Sequence, residues 1–249
     1  MKLLIDAGNS SIKWAVLNAG HMDPMKSLLH NGFQAHTQLF DDAWGKLPVP
    51  EKVLVSNVAG PVFSSPFESW VRDRWECPVE YARTCMEAFG VINGYTEPEQ
   101  LGIDRWLGLI GARSLTHDAV MIVDAGTAIT IDIMNAQGKH LGGLIAPGLN
   151  MMRQVLTGRT AGIVVDRAVT EAGFPAHNTT EAVLAGTHKA ASALVRETIK
   201  EVNGIFEKPV QVFITGGDAD ILMQDADTYY KLEQALVLKG LMTMAETKQ

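Results

Sequence analysis

The sequence predicts an α/β protein of two similar domains, each a mixed sheet flanked by helices, with a ligand cleft between them. Three observations carry this reading. Short apolar runs that end in turn residues alternate with stretches of helical periodicity along the chain. The segment LLIDAGNSSIKWAVLNAG, starting at Leu3, recurs in outline as MIVDAGTAITIDIMNAQG, starting at Met121. Each copy is a strand, an Asp-Ala-Gly turn, a second strand and an Asn-containing hairpin, which marks an internal repeat about half the chain long, the alternative being coincidence between two hairpin starts. Finally, 249 residues suit one to two domains at about 150 residues each. The boundary falls near Thr116–Ala119, giving domains of residues 1–116 and 117–249.

Taken in order, Lys2–Ile5, Ile12–Leu17 and Lys26–Leu29 are predicted strands, with Asn18-Ala19-Gly20 as a hairpin turn. HTQLFDDAWGKL has helical spacing, EKVLVSNV is a buried strand, and SSPFESWVRDRW is a helix capped by Ser65 with Pro66 in its first turn. DRWLGLIGARSL is helical, with Trp106, Leu107, Leu109 and Ile110 on an apolar stripe. AVMIVDAG, AITIDIMN and KHLGGLIAPG form a meander through an NAQG turn, followed by helices over Leu149–Leu156 and Thr180–Val202. VQVFITGG is a further strand, and YYKLEQALVLKGLMTMAET closes the chain as a helix. The five tryptophans are read as packing residues.

Composition excludes several classes. A hydrophobic content of 47% with 20% charged residues is that of an ordinary globular protein, and no apolar run approaches the ~20 residues of a membrane span. Asp6 interrupts the N-terminal apolar stretch too early for a secretory signal, so the expected location is cytoplasmic. Cys77 and Cys85 are too few for a disulfide framework and match no zinc spacing. A net charge of −7 without a basic block argues against nucleic-acid and anionic-membrane partners. Any anionic ligand must therefore be held by local positive groups.

The repeated turn offers such a place. Glycine lets a phosphate approach the backbone closely, and neighbouring hydroxyls add donors. Gly8, Asn9, Ser10 and Ser11 suit this in the first copy, with Lys13 placed to supply positive charge, and Gly126 with Thr127 in the second. A carboxylate beside a polyphosphate repels it unless a cation intervenes, so Asp6 and Asp124 suggest cation binding. The plain alternative is an ordinary hairpin corner. Neither GxxxxGK[ST] nor GxGxxG occurs. A third signal is NGYTEPEQLGIDRWLGLIGAR, where Asp104 and Arg105 open a helix just after Gly102. Arg105 could grip a carboxylate and Asp104 accept a hydroxyl proton, or the pair could serve only the helix dipole and a surface ion pair.

The D-x-G-N-[ST]-x-x-K start, the NGYTEPEQLGIDR segment and DAGTAITIDIMNAQGKHLGGLIAPG together resemble type III pantothenate kinase, in family order and over nearly the full chain. That family belongs to the superfamily of acetate and sugar kinases, actin and the heat-shock chaperones. The resemblance implies two ribonuclease H-like domains and transfer of the ATP γ-phosphoryl group to pantothenate, the first step of coenzyme A synthesis. Residues Asp6 to Lys13 and Thr127 would bind ATP, with Asp6 near magnesium. Asp104 would be the catalytic base, and Tyr95, Gly102, Ile103, Asp104, Arg105 and Thr179 would line the pantothenate site. Thr180 competes with Thr179 for the last role. Asp124 would hold a monovalent cation, potassium or ammonium, and a homodimer is implied. Gly94 stands where many relatives have proline. FITGGDAD resembles the superfamily's adenosine loop, with a strand-end turn as its alternative. Competing readings are a catalytically silent regulatory relative and a phosphohydrolase of the same superfamily; the Gly-Ile-Asp-Arg segment with its upstream tyrosine favours an organic acceptor over water.

Overall fold

A computed structural model describes residues 1–30, 36–160, 162–166, 169, 173–224 and 229–246. The chain divides into two units. The first comprises Met1–His117, Gln137–His140 and the segment from Ala235 onward, and the second Asp118–Ala136 with Leu141–Gln234.

In the first unit, β1 (Lys2–Ala7) pairs antiparallel with β2 (Ser11–Asn18), whose far edge carries β3 (His21–Met22) and β4 (Lys26–Leu29). On its other side β1 pairs in parallel with β5 (Lys52–Asn57), and β5 with β6 (Val79–Tyr81). Leu3, Leu4 and Ile5 are all fully buried, because the central strand is covered on both faces. One face packs on α1 (His36–Trp44) and α2 (Pro61–Arg74) through Trp14, Phe40, Trp44, Phe63, Phe67 and Trp70. Their rings meet edge-on or stacked at centroid distances such as 5.6 Å for Phe40–Trp44 and 5.0 Å for Phe63–Phe67. A two-stranded ribbon of β7 (Glu87–Ala88) and β8 (Val91–Ile92) leads through a short 3₁₀ turn to α3 (Ile103–Leu115).

The second unit repeats the arrangement: β9 (Val120–Ala125) pairs antiparallel with β10 (Ala128–Met134), and β11 (His140–Pro147) follows on the edge. On the other side β12 (Gln211–Thr215) pairs in parallel with β9, and β13 (Tyr230–Leu232) in parallel with β12. The strand order β11-β10-β9-β12-β13 mirrors β4-β2-β1-β5-β6, as the repeat predicts. Helices α4 (Leu149–Arg159) and α5 (Thr179–Ile205) pack on each other, and a short α6 (Ala219–Met223) follows β12. The last helix, α7 (Leu236–Glu246), packs against α3, β1 and β5 of the first unit. The two mixed sheets with their helices are the predicted α/β class.

Several local expectations are corrected. The helix expected to start at Ser65 starts at Pro61, so Pro66 lies inside it rather than in its first turn. Gly60 precedes Pro61, whose fixed φ and missing donor suit a first helical position, and this earlier start signal wins. Tyr230–Leu232 is strand rather than helix, since its backbone completes the edge of β12. The ribbon of β7 and β8 and the short α6 carry too little periodicity to be predicted. Cys77 and Cys85 are both free, and all five tryptophans are buried.

Candidate active site

The first turn is built by the β1–β2 hairpin. In register, Asp6 faces Lys13 directly across the two strands, so the acid and the cation share one face of the sheet. Between them the chain turns through Gly8, Asn9 and Ser10, with Gly8 N–H donating to the Ser11 carbonyl at 3.0 Å. A Cβ on Gly8 would sit 3.0 Å from that same oxygen, which is why the corner needs glycine. Asn9 and Ser10 are exposed, Asp6, Ser11 and Lys13 half-buried, and Ala7 and Ile12 anchor the turn in the core.

A residue outside the motifs holds this turn. His30, just past β4, donates its backbone N–H to the Ser10 carbonyl at 3.0 Å. Its Nε2 lies 3.1 Å from the Gly8 carbonyl, and since a carbonyl only accepts, Nε2 carries the proton. Burial lowers the imidazole pKa, against the opposing pull of the Gly8 carbonyl. Only the pairing of β4 on β2 brings His30 there, so sequence spacing holds no signal for it.

Asp104 and Arg105 occupy the first turn of α3, behind Gly102. Asp104 Oδ1 accepts the Arg105 backbone N–H at 2.8 Å, folding the carboxylate over the helix N-terminus, where the dipole stabilises negative charge. A Cβ on Gly102 would come within 3.0 Å of that oxygen, so glycine clears the space. Arg105 is only 8% exposed, and its Nη1 donates to the Tyr95 hydroxyl at 2.9 Å. Tyr95 is held from below by buried Asn93, whose Oδ1 accepts the Tyr95 N–H at 2.9 Å. The Asn93 Nδ2 in turn donates to the Cys85 and Pro98 carbonyls. Thus the loop with Gly94 is fixed by the asparagine rather than by a proline. The structure brings Tyr95, Gly102, Ile103, Asp104 and Arg105 into one locality.

In the second unit, Asp124 is half-buried at the end of β9, and the exposed Thr127 lies in the two-residue turn before β10. Gly126 N–H donates to the Ala128 carbonyl at 3.0 Å, the counterpart of the Gly8 bond. The turn is shorter than the first, so the residue opposite Asp124 is Thr130, and no lysine is repeated. Two glycines crowd this corner. Gly216 has φ +97° and a Cβ there would fall within 3.0 Å of Asp124 Oδ1; a Cβ on Gly148 would strike the Gly126 and Thr127 carbonyls. The Gly216–Asp218 loop is therefore packed against the second turn, and Asp218 N–H donates to the Ala125 carbonyl at 2.9 Å. Burial raises the Asp218 pKa, with Arg153 pulling it back down.

Thr179 is exposed at the start of α5, next to Asn178, which caps the helix by accepting the Glu181 N–H at 2.9 Å. The Thr180 hydroxyl is occupied by the Asp166 N–H at 3.0 Å. Thr179 also lines an apolar cavity of about 930 Å³ between α4 and α5, bordered by Met152, Val155, Leu156, Val183 and Thr187. Among the described residues, no group of three or more His, Cys, Asp or Glu side chains could hold a metal, and no helix is long and apolar enough to cross a membrane.

Comparison with known proteins gives this geometry its context. The sequence profile of the type III pantothenate kinase family matches residues 2–201. A type III pantothenate kinase of Nitrosococcus oceani is 37% identical, over 99% of this chain and 94% of its own. One of Halorhodospira halophila is 36% identical, over 97% and 96% respectively. Among solved structures, a Baf-family transcriptional activator of Campylobacter jejuni superposes with a TM-score of 0.62 at 22% identity, covering 98% of this chain and 97% of that one. A 2-dehydro-3-deoxygalactonokinase of Sinorhizobium meliloti gives 0.58 at 12% identity, covering 98% of each. At these identities the two structures speak for the fold alone.

Proposed function

This chain belongs to the type III pantothenate kinase family, and from that premise we propose how its residues move the γ-phosphoryl group of ATP to the primary hydroxyl of pantothenate. The observation that carries the assignment is the adjacency of Asp104 and Arg105 at the tip of α3, one a carboxylate, the other a guanidinium braced by Tyr95. Phosphoryl transfer needs alignment and charge stabilisation more than covalent help. Asp104 orients the acceptor hydroxyl and takes its proton as the new P–O bond forms. Arg105 binds the pantothenate carboxylate at the other end, and Tyr95, Gly102 and Ile103 shape the space between.

The turn from Asp6 to Lys13 binds the ATP phosphates. Gly8 lets them approach the backbone, Asn9, Ser10 and Ser11 donate hydrogen bonds, and Lys13 supplies the local positive charge that an acidic chain otherwise lacks. Thr127 contributes a hydroxyl to ATP from the second turn. Asp6 would help hold a magnesium ion bound with ATP, which would supply charge neutralisation for the phosphates. The chain suits that division of ligands, because magnesium is held by one or two carboxylates together with phosphate and water oxygens, and Asp6 offers one such carboxylate near the end of β1. Asp124, brought close to the Gly216 loop, is assigned to a monovalent cation, potassium or ammonium. Thr179 is preferred over Thr180 for pantothenate, because Thr179 is exposed and lines the apolar groove, whereas Thr180 is half-buried and its hydroxyl accepts the Asp166 N–H.

We further assign a cytoplasmic location and a homodimer, the latter supported by the apolar groove between α4 and α5 and by Val155, 52% exposed beside it. A catalytically silent relative has no support in the residues, since Asp6, Lys13, Asp104, Arg105, Asp124 and Thr127 are all in place. The decisive test replaces Asp104 with Asn. ATP and pantothenate should still bind within about threefold by calorimetry, while turnover falls ~10²–10⁴-fold. Turnover near that of the parent would remove Asp104 from its role.

A further inference from the structure

His140 is a fully buried aromatic residue to which the reaction as derived gives no task. It is the first residue of β11 and closes the Gln137–His140 segment, which belongs to the first unit although the strands on either side of it belong to the second. The segment is seated on the ribbon of β7 and β8: Lys139 bridges Ile92, and Ile92 N–H donates to the Gly138 carbonyl at 2.9 Å. Gly138 has φ +82°, and a Cβ there would drive into the Gly90 carbonyl, so the backbones are in direct contact. This seating presents the imidazole to Tyr95, with ring centroids 5.8 Å apart and planes inclined by only 18°. Tyr95 meets Arg105 twice, through the 2.9 Å bond to its hydroxyl and through the guanidinium carbon 5.6 Å from its ring centroid.

We propose that His140 is a positioning residue for the acceptor substrate: its ring face fixes Tyr95, and Tyr95 fixes the Arg105 guanidinium in the one orientation that receives a carboxylate. The physical reason lies in how each link is held. Asn93 secures the Tyr95 backbone but leaves the ring free to rotate about its side-chain torsions. A flat, buried partner at stacking distance removes that freedom. A guanidinium recognises a carboxylate through a planar fork, so its orientation sets specificity as well as affinity. The stack needs a flat ring, not a charge. This inference rests on the assignment of Arg105 to the pantothenate carboxylate.

The test compares pantothenate with its alcohol analogue pantothenol, which carries a hydroxymethyl group in place of the carboxylate, at saturating ATP. The wild type should prefer pantothenate by about 100-fold in kcat/KM, as a charge-assisted hydrogen-bonded pair provides. His140→Leu should cut that preference about tenfold through KM for pantothenate, leaving KM for ATP unchanged, whereas His140→Phe should stay within about threefold of wild type. Tyr95→Phe, which keeps the stack but removes the hydroxyl, should reproduce the leucine result and serves if the leucine variant does not fold. A wild type without preference sinks the role of Arg105, and this inference with it. If the wild type shows the preference, and the His140→Leu and Tyr95→Phe variants keep it while losing both activities alike, this inference alone is sunk.

Discussion

At the scale of single residues, glycines clear space for the charged side chains of the candidate site. Gly102 leaves room for the Asp104 carboxylate to fold over the amide of Arg105, and Gly216 does the same beside Asp124. If Asp124 holds a monovalent cation as proposed, replacing Gly216 with Ala should lower turnover and weaken activation by potassium, because a Cβ at φ +97° would collide with the Ala125 carbonyl and with Asp124 Oδ1. Initial rates across a potassium titration check this. His30 carries a different prediction. Burial holds its imidazole pKa below 6.5, so the folded state favours the neutral ring. Its contribution to stability is present above pH 6.5 and is lost as the pH falls through the lowered folded value. His30→Gln, which retains an N–H donor, should flatten the fall of the thermal midpoint below pH 6.5. An unchanged pH profile of unfolding would show that the ring does not titrate with folding. The candidate site is legible in the sequence at this scale wherever chemistry sits in a contiguous motif, as in Asp6 to Lys13 and Gly102 to Arg105. His30, Asn93 and His140 are not, because each acts through a carbonyl, an amide or a ring outside any such motif.

At the scale of elements, the repeat explains most of what the sequence makes legible. Strand, Asp-Ala-Gly turn and strand are all local, so both hairpins form as read, and the parallel partners β5 and β12 announce themselves as unbroken apolar runs. The crossing of α3 and α7 has no such local sign. Here two glycines interlock: a Cβ on Gly111 would strike the Leu236 carbonyl, and one on Gly240 would strike the Leu107 carbonyl. Backbone meets backbone at both points. Gly111→Ala should therefore destabilise the protein by about 1–3 kcal/mol, despite alanine's better helix propensity, because overpacking outweighs the ~1 kcal/mol that propensity returns. Urea unfolding would measure the sum, and a stabilised variant would show that the helices separate at no cost. The start of α2 belongs to this scale too: the helix begins at Pro61, and Phe63 and Phe67 are buried in the core.

For the whole molecule, a coupled ADP-release assay tests the activity directly. ADP should form only when ATP, magnesium and pantothenate are all present, and ADP formation indifferent to pantothenate would leave a phosphohydrolase. Light scattering at micromolar concentration should give twice the 27.0 kDa chain mass if the α4–α5 groove is covered by a second copy. What the sequence alone determined is the repeated α/β plan, the two glycine corners and the acid–arginine pair, since each is encoded within a few neighbouring residues by periodicity or by steric need. Tertiary structure alone decided that α7 packs on α3, that His30 ties down the first corner, and that His140 backs Tyr95. Those contacts join segments remote along the chain, and their geometry comes from backbone proximity and ring packing, neither of which any local pattern of residues encodes.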